Sequence, residues 1–196
     1  MILDLIRHAD TGRAGYLDGR SDPALLPQAA ALVEAACAGL QWPRVIASPL
    51  LRARDTALAL AAPCQLPVAI DDAWREVDFG EWDGRPAHTI DPVALAAFHR
   101  DPLAHPAPGG ESWSMFQSRI AGALTALLQR AADQPSAGAL VVSHAGAIRM
   151  AVALACGFPL AALWALRIDY GTRLRLHLQL GDDGRPWGEL LEIRQP

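Results

Sequence analysis

Two short segments, far apart in the chain, share one design. ILDLIRHA (residues 2–9) is a mostly apolar strand that delivers Arg7 and His8, side by side, to its carboxyl end. ALVVSHAG (139–146) is a second apolar strand that delivers His144 in the same way. Apolar runs of this kind read as strands buried on both faces, as in a parallel sheet. In open parallel α/β sheets, ligands bind beyond the carboxyl ends of the strands. The two histidines are therefore expected to be neighbours in space. The small residues after His144 lead into a helix, whose first turn offers free N–H groups and a positive dipole end to an anion.

The rest of the chain supports that frame. Hydrophobic periodicity predicts helices over about 26–39, 49–61, 91–100, 112–132 and 145–156, with short strands at 44–47 and 67–70. Pro49 falls near the start of the second helix and Ser112 is a plausible N-cap for the fourth. LWALRI (163–168) is followed by RLRLHLQL (173–180), which alternates with period two; a GDDGRP turn and GELLEIR (188–194) complete a hairpin. Alternating strands and helices predict a three-layer α/β/α sandwich with a mostly parallel central sheet, helices on both faces and antiparallel strands added at an edge. Residues 1–196 are expected to form one domain, with a small proline- and glycine-rich cap of loops and a short helix at about 74–112.

Composition excludes several function classes. The net charge of −4 and the lack of a long basic run argue against a nucleic-acid surface. No run of 18 apolar residues occurs, so a membrane span is not expected. Three scattered cysteines, Cys37, Cys64 and Cys156, have no metal-ligand spacing and read as buried thiols. The chain enters a strand at once with no charged leader, which points to the cytoplasm.

Two further segments carry candidate chemistry. ASPLLRARDTA (47–57) leads from a strand into a helix bearing Arg52 and Arg54. Arg52 falls on the first turn beside the sheet edge, and Arg54 points about 200° away around the axis. Arg52 can thus join Arg7 as a second fixed cation, and guanidinium forks suit phosphate oxygens. WREVDFGEWDGR (74–85) places two carboxylates, Glu76 and Glu81, among glycines and aromatic residues, where a general acid could sit. Trp82, Trp113 and Phe116 are candidates either for a wall of the site or for core packing.

Taken together, Arg7-His8, SPLLRARDTA, REVDFGEWDG and SHAGAIR resemble the signature segments of the histidine phosphatase (phosphoglycerate mutase-like) superfamily, in that family's order. PGGES (108–112) is similar to a stretch that precedes the family's long helix. The resemblance implies His8 as nucleophile, Arg7, Arg52 and His144 as the phosphate pocket, and Glu76, in preference to Glu81, as proton donor. It implies hydrolysis of a small-molecule phosphomonoester through phosphohistidine, with no metal and no other cofactor. REVDFGEWDG is most similar to the α-ribazole phosphatase branch, which acts in cobalamin biosynthesis. Broad-specificity sugar or nucleotide phosphatases, phosphoglycerate mutases and catalytically inactive phosphate-binding members remain alternatives. A homodimer is left open. Two departures stand out: the family's usual Gly after each histidine is Ala9 and Ala145 here. Alanine permits close phosphate approach if the backbone at those positions is not glycine-only.

Overall fold

The computed structural model describes residues 1–132 and 138–196. Six strands form one mixed sheet: β1 (Ile2–Arg7), β2 (Val45–Ala47), β3 (Val68–Ile70), β4 (Ala139–Ser143), β5 (Arg173–Leu180) and β6 (Pro186–Arg194), in the spatial order β3-β2-β4-β1-β5-β6. The first four run parallel, and the β5–β6 hairpin adds to β1 antiparallel at one edge. The α/β fold and the antiparallel edge match the sequence expectation.

Alternation along the strands divides the core in two. Leu3, Leu5, Val141, Leu174 and Leu176 point to one face, where they pack against α4 (Trp113–Ala132) and α5 (Ala145–Cys156). Ile6, Val45, Ala47, Leu140 and Val142 point to the other, against α1 (Ala29–Ala36) and α2 (Leu51–Ala61). Asp4 lies on this second face, fully buried. It accepts from Trp42 Nε1 at 2.6 Å, Arg173 Nη1 at 2.9 Å, and Arg175 Nε and Nη2 at 2.9 and 2.8 Å. A buried carboxylate is tolerable only with such partners.

Boundaries differ from the periodicity in ways the backbone explains. Gln28 takes φ 64° directly after Pro27, so α1 begins at Ala29 instead of 26. Pro49 lies before the N-cap Leu50 and not inside α2. The run at 163–168 contributes to a 3₁₀ helix over Leu160–Ala165. Ser112 Oγ accepts the Met115 N–H at 3.2 Å and so caps α4 as expected. The segment over 74–112 carries the 3₁₀ turns Gly80–Trp82 and Ala87–Thr89 and the helix α3 (Pro92–Arg100), which Asp91 caps.

Sheet register positions the site. Arg7 pairs with Ser143 across β1 and β4, so His8 and His144 leave the sheet at the same level. His8 N–H donates to the Ser143 carbonyl at 2.9 Å. On the other side of β4, Ser48 N–H donates to the Val142 carbonyl at 3.0 Å, which brings the start of α2 to the same edge. Arg7 N–H donates to Thr172 O at 3.0 Å, so the loop before β5 arrives there too.

Candidate active site

His8 is held in one orientation. Its Nδ1 lies 2.8 Å from the Ala9 carbonyl oxygen. A carbonyl only accepts, so the hydrogen-bond network assigns the ring proton to Nδ1 and the lone pair to Nε2. Arg52 Nε sits 3.3 Å from that Nε2. Burial pushes the His8 pKa well below the ordinary histidine value, and the charges of Arg52 and Arg7 push it the same way. The neutral ring is the nucleophilic one.

The two arginines are fixed differently. Arg7 donates from Nη1 to Ile168 O at 2.8 Å, and its guanidinium lies 3.9 Å over the Tyr170 ring. Its Nε is buried without a protein partner. Arg52 is 1% exposed, and its terminal nitrogens are engaged by the 18–22 loop: Nη1 with Ser21 O at 2.8 Å and Asp22 Oδ1 at 3.2 Å, Nη2 with Asp18 O at 2.7 Å. Arg52 therefore turns its Nε edge, and not its terminal fork, toward His8. Asp83 secures that loop by accepting the N–H groups of Gly19, Arg20 and Ser21 and the Ser21 hydroxyl. Arg54 turns away and pairs with Asp55.

His144 follows β4 directly and precedes α5. Its ring centroid is 5.1 Å from that of His8. Nε2 lies 2.8 Å from Ser48 Oγ, and Nδ1 has no protein partner. Burial, reinforced by Arg52, keeps the His144 pKa well below the ordinary value. The ring is 1% exposed and lies against His8.

Glu76 reaches the same place from the cap. Oε1 accepts the Val77 N–H and Oε2 the Gly146 N–H, each at 3.0 Å. A Cβ at Gly146 would overlap Glu76 Oε1, so the close approach of the carboxylate to α5 requires glycine there. Arg119 on α4 holds the Glu76 segment by donating to the carbonyls of Ala73, Arg75 and Glu76 at 2.8, 2.7 and 2.9 Å. Glu111 in turn pairs with Arg119 through both carboxylate oxygens, at 2.7 and 2.8 Å. Glu81 is exposed at the Gly80–Trp82 turn, away from the cavity.

A cavity of about 330 Å³ opens over these groups, lined by Arg7, His8, Arg52 and Glu76 at its base and by Phe79, Trp113, Trp164 and Tyr16 on its walls. Of the three aromatic residues considered from sequence, Trp113 lines the cavity, whereas Trp82 and Phe116 pack in the core. Tyr170 and Arg149 also line it, and neither was singled out from sequence. The Tyr170 ring lies 5.4 Å from the His8 ring, tilted by 51°, with its hydroxyl 3.3 Å from Thr11 Oγ1. Arg149 donates Nε and Nη2 to Leu166 O at 3.0 and 2.9 Å and has no carboxylate partner among the described residues. Among the described residues, no group of three or more His, Cys, Asp or Glu side chains is arranged to hold a metal ion.

The family model of histidine phosphatase superfamily branch 1 matches residues 3–185. The chain belongs to the histidine phosphatase superfamily. Within it, the chain is 32% identical over 182 residues to the adenosylcobalamin/alpha-ribazole phosphatase of Escherichia coli K12, covering 87% of each chain. It is 27% identical over 185 residues to phosphoserine phosphatase 1 of Hydrogenobacter thermophilus, covering 90% of this chain and 86% of the relative. The native structure of a mycobacterial glucosyl-3-phosphoglycerate phosphatase superposes with a TM-score of 0.84 at 27% identity, over 97% of this chain and 96% of that one. The superfamily's usual glycines after the two histidines are not needed here. Among the described residues, the non-glycine positions with positive φ are Gln28 and Gln65, so Ala9 and Ala145 adopt backbone angles open to any residue.

Proposed function

We propose that this chain is a metal-independent phosphomonoesterase working through a phosphohistidine intermediate. The observation that carries the proposal is the convergence of five residues from four separate stretches of sequence: Arg7, His8, Arg52 and Glu76 line one cavity, and His144 lies against His8 at the same strand edge.

In the first step His8 Nε2 uses its lone pair to form an N–P bond while the P–O ester bond breaks. The protonated Glu76 carboxyl gives its proton to the leaving oxygen. In the second step a water oxygen forms a bond to phosphorus and passes a proton to Glu76. The N–P bond then breaks and its electron pair returns to His8. Phosphoryl transfer depends on positioning and on charges aimed at the equatorial oxygens. Arg7, the Nε edge of Arg52, His144 and the first turn of α5 supply these. Loss of one such oriented donor costs about 2.7–4 kcal/mol, or roughly 10²–10³ in rate.

The cavity suits a small ester, since ligand sites begin at about 300 Å³. The substrate we put forward first is α-ribazole 5′-phosphate of cobalamin biosynthesis. The 32% identical relative and the aromatic walls Phe79, Trp113 and Trp164 support it. Arg149, which has no carboxylate partner among the described residues, favours a second reading, an ester whose leaving group is itself an acid; relatives named phosphoserine phosphatase and glucosyl-3-phosphoglycerate phosphatase are consistent with that. The three free thiols suit a reducing compartment, and we place the enzyme in the cytoplasm.

Release of phosphate from p-nitrophenyl phosphate, undiminished by chelator, tests the activity. A panel containing α-ribazole 5′-phosphate, phosphoserine and phosphoglycerates then ranks kcat/KM. Phosphate binding without turnover would leave an inactive phosphate-binding module instead, and transfer between glycerate positions would indicate a mutase.

A further inference from the structure

Ser48 has no part in the reaction just described, yet it is completely buried where β2 passes into α2. Its Oγ has two polar neighbours among the described residues: the Leu50 N–H at 3.4 Å and His144 Nε2 at 2.8 Å. A hydroxyl has one proton to give and two lone pairs. The Leu50 N–H only donates, so it uses a lone pair and leaves the serine proton to be placed. A buried hydroxyl proton needs an acceptor. The acceptor in reach is His144 Nε2. A neutral imidazole that accepts at Nε2 carries its own proton on Nδ1, and that nitrogen is the one buried without a protein partner.

We propose that Ser48 is a positioning residue that fixes His144 as its Nδ1–H tautomer, making Nδ1–H a preformed donor for a phosphoryl oxygen on His8. The phosphoryl oxygen rests on the phosphatase reading; the tautomer does not. His8 and His144 then share a tautomer but use opposite atoms, His8 attacking with Nε2 and His144 donating from Nδ1. The reverse assignment would orphan the serine proton and aim a lone pair of His144 at an anion. The charged and titratable groups around the ring are Arg7 and His8 from β1 and its exit, Arg52 from α2, Arg119 from α4, and Glu76, which binds the next residue but one. The cations oppose imidazolium formation in the empty site, so a neutral ring has a single proton to place.

The test is the protonation state of each ring nitrogen, read by long-range ¹H–¹⁵N correlation in ¹⁵N-histidine-labelled protein at neutral pH. The His144 signals are assigned by their loss in His144→Asn. The expected wild-type pattern is a protonated Nδ1 and an unprotonated Nε2 on His144. A protonated Nε2 would overturn the proposal whether or not the protein hydrolyses phosphate esters. In Ser48→Ala the proton is expected to move toward Nε2. Activity is expected to fall by roughly 10²–10³ at about pH 8, as for loss of an oriented donor. Burial and the neighbouring cations keep the ring neutral as pH falls, so the deficit is expected to persist toward pH 5.5. A loss of activity with an unchanged tautomer would reduce Ser48 to a packing residue. Complete inactivity of the wild type with the expected tautomer would sink the phosphatase reading and leave the Ser48 assignment standing.

Discussion

Glu76 Oε2 accepts the backbone N–H of Gly146 at 3.0 Å, although seventy residues separate them in sequence. This bond ties the candidate proton donor to the helix that begins at His144. Gly146→Ala places a methyl group where Oε1 now lies and must displace the carboxylate. General acid catalysis contributes about 10²–10⁴, so alkyl phosphates, whose leaving groups need a proton, are expected to lose on the order of 10² in kcat. p-Nitrophenyl phosphate, with a good leaving group, should lose much less. Steady-state kinetics on the two ester types checks this, and equal losses would remove Glu76 from the acid role.

The pH profile is expected to lack the usual histidine limb. Burial, with Arg52 and Arg7 in support, lowers the His8 pKa well below 6.5, and burial with Arg52 does the same for His144. A lowered pKa means that the neutral ring persists as pH falls. On the acid side, kcat/KM should therefore show no titration near pH 6.5, which a plot over about pH 4–8 reads directly. A fall with a midpoint at 6.5 would mean that the nucleophile is solvated and not held as described.

Arg149 shares the cavity with Arg7 and is held by the Leu166 carbonyl instead of a carboxylate. It is placed to meet a second anionic group on the substrate. Arg149→Leu should raise KM about tenfold or more for esters with a carboxylate in the leaving group, in line with a charged hydrogen bond of roughly 1.5–3 kcal/mol. KM for neutral alcohols should change little. A uniform rise across both classes would assign Arg149 to the phosphate itself.

Stability is expected to rest heavily on Asp4. Burial raises its pKa, but hydrogen bonds from Arg175, Trp42 and Arg173 outweigh this and leave it below 3.8. A depressed folded pKa contributes stability that is present above the unfolded value and lost as pH falls through the folded one. The contribution should hold at neutral pH and vanish only below about pH 3.8. Asp4→Ala leaves Arg173 deeply buried with one ion-pair partner fewer, at a cost of roughly 3–5 kcal/mol. Urea titration measures it; a loss under about 1 kcal/mol would show that the network is dispensable.

How far the sequence disclosed this site depended on local pattern. β1 and β4 were legible because apolar runs that end in a histidine are unusual, and register then sets His8 beside His144. Arg52 was legible from its place on the first turn of α2, but the engagement of its terminal nitrogens by the 18–22 loop was not. Those partners are backbone carbonyls, which any sequence supplies. Tyr170 left no signal, since it sits in a connection between elements; Arg149 closes the SHAGAIR segment, but its place inside an alanine-rich helix did not mark it as a cavity residue. What could have found Arg149 is its position one helical turn after Ala145, on the face that turns to the ligand. Arg119 was hidden in the same way, since its role is to hold three carbonyls of a loop folded against α4. Asp4 in an otherwise apolar strand was a visible oddity, and its partners Arg173 and Arg175 follow only once β5 is known to pair with β1.

The most direct test of the central claim is a rapid-quench experiment with a labelled phosphomonoester, stopped in alkali, followed by peptide mapping. The expected result is an acid-labile, alkali-stable phosphoryl group on Nε2 of His8, formed and lost at rates compatible with turnover and absent from His8→Ala. Turnover without any such adduct would contradict it, as would activity in His8→Ala within about tenfold of wild type, a barrier change of only about 1.4 kcal/mol.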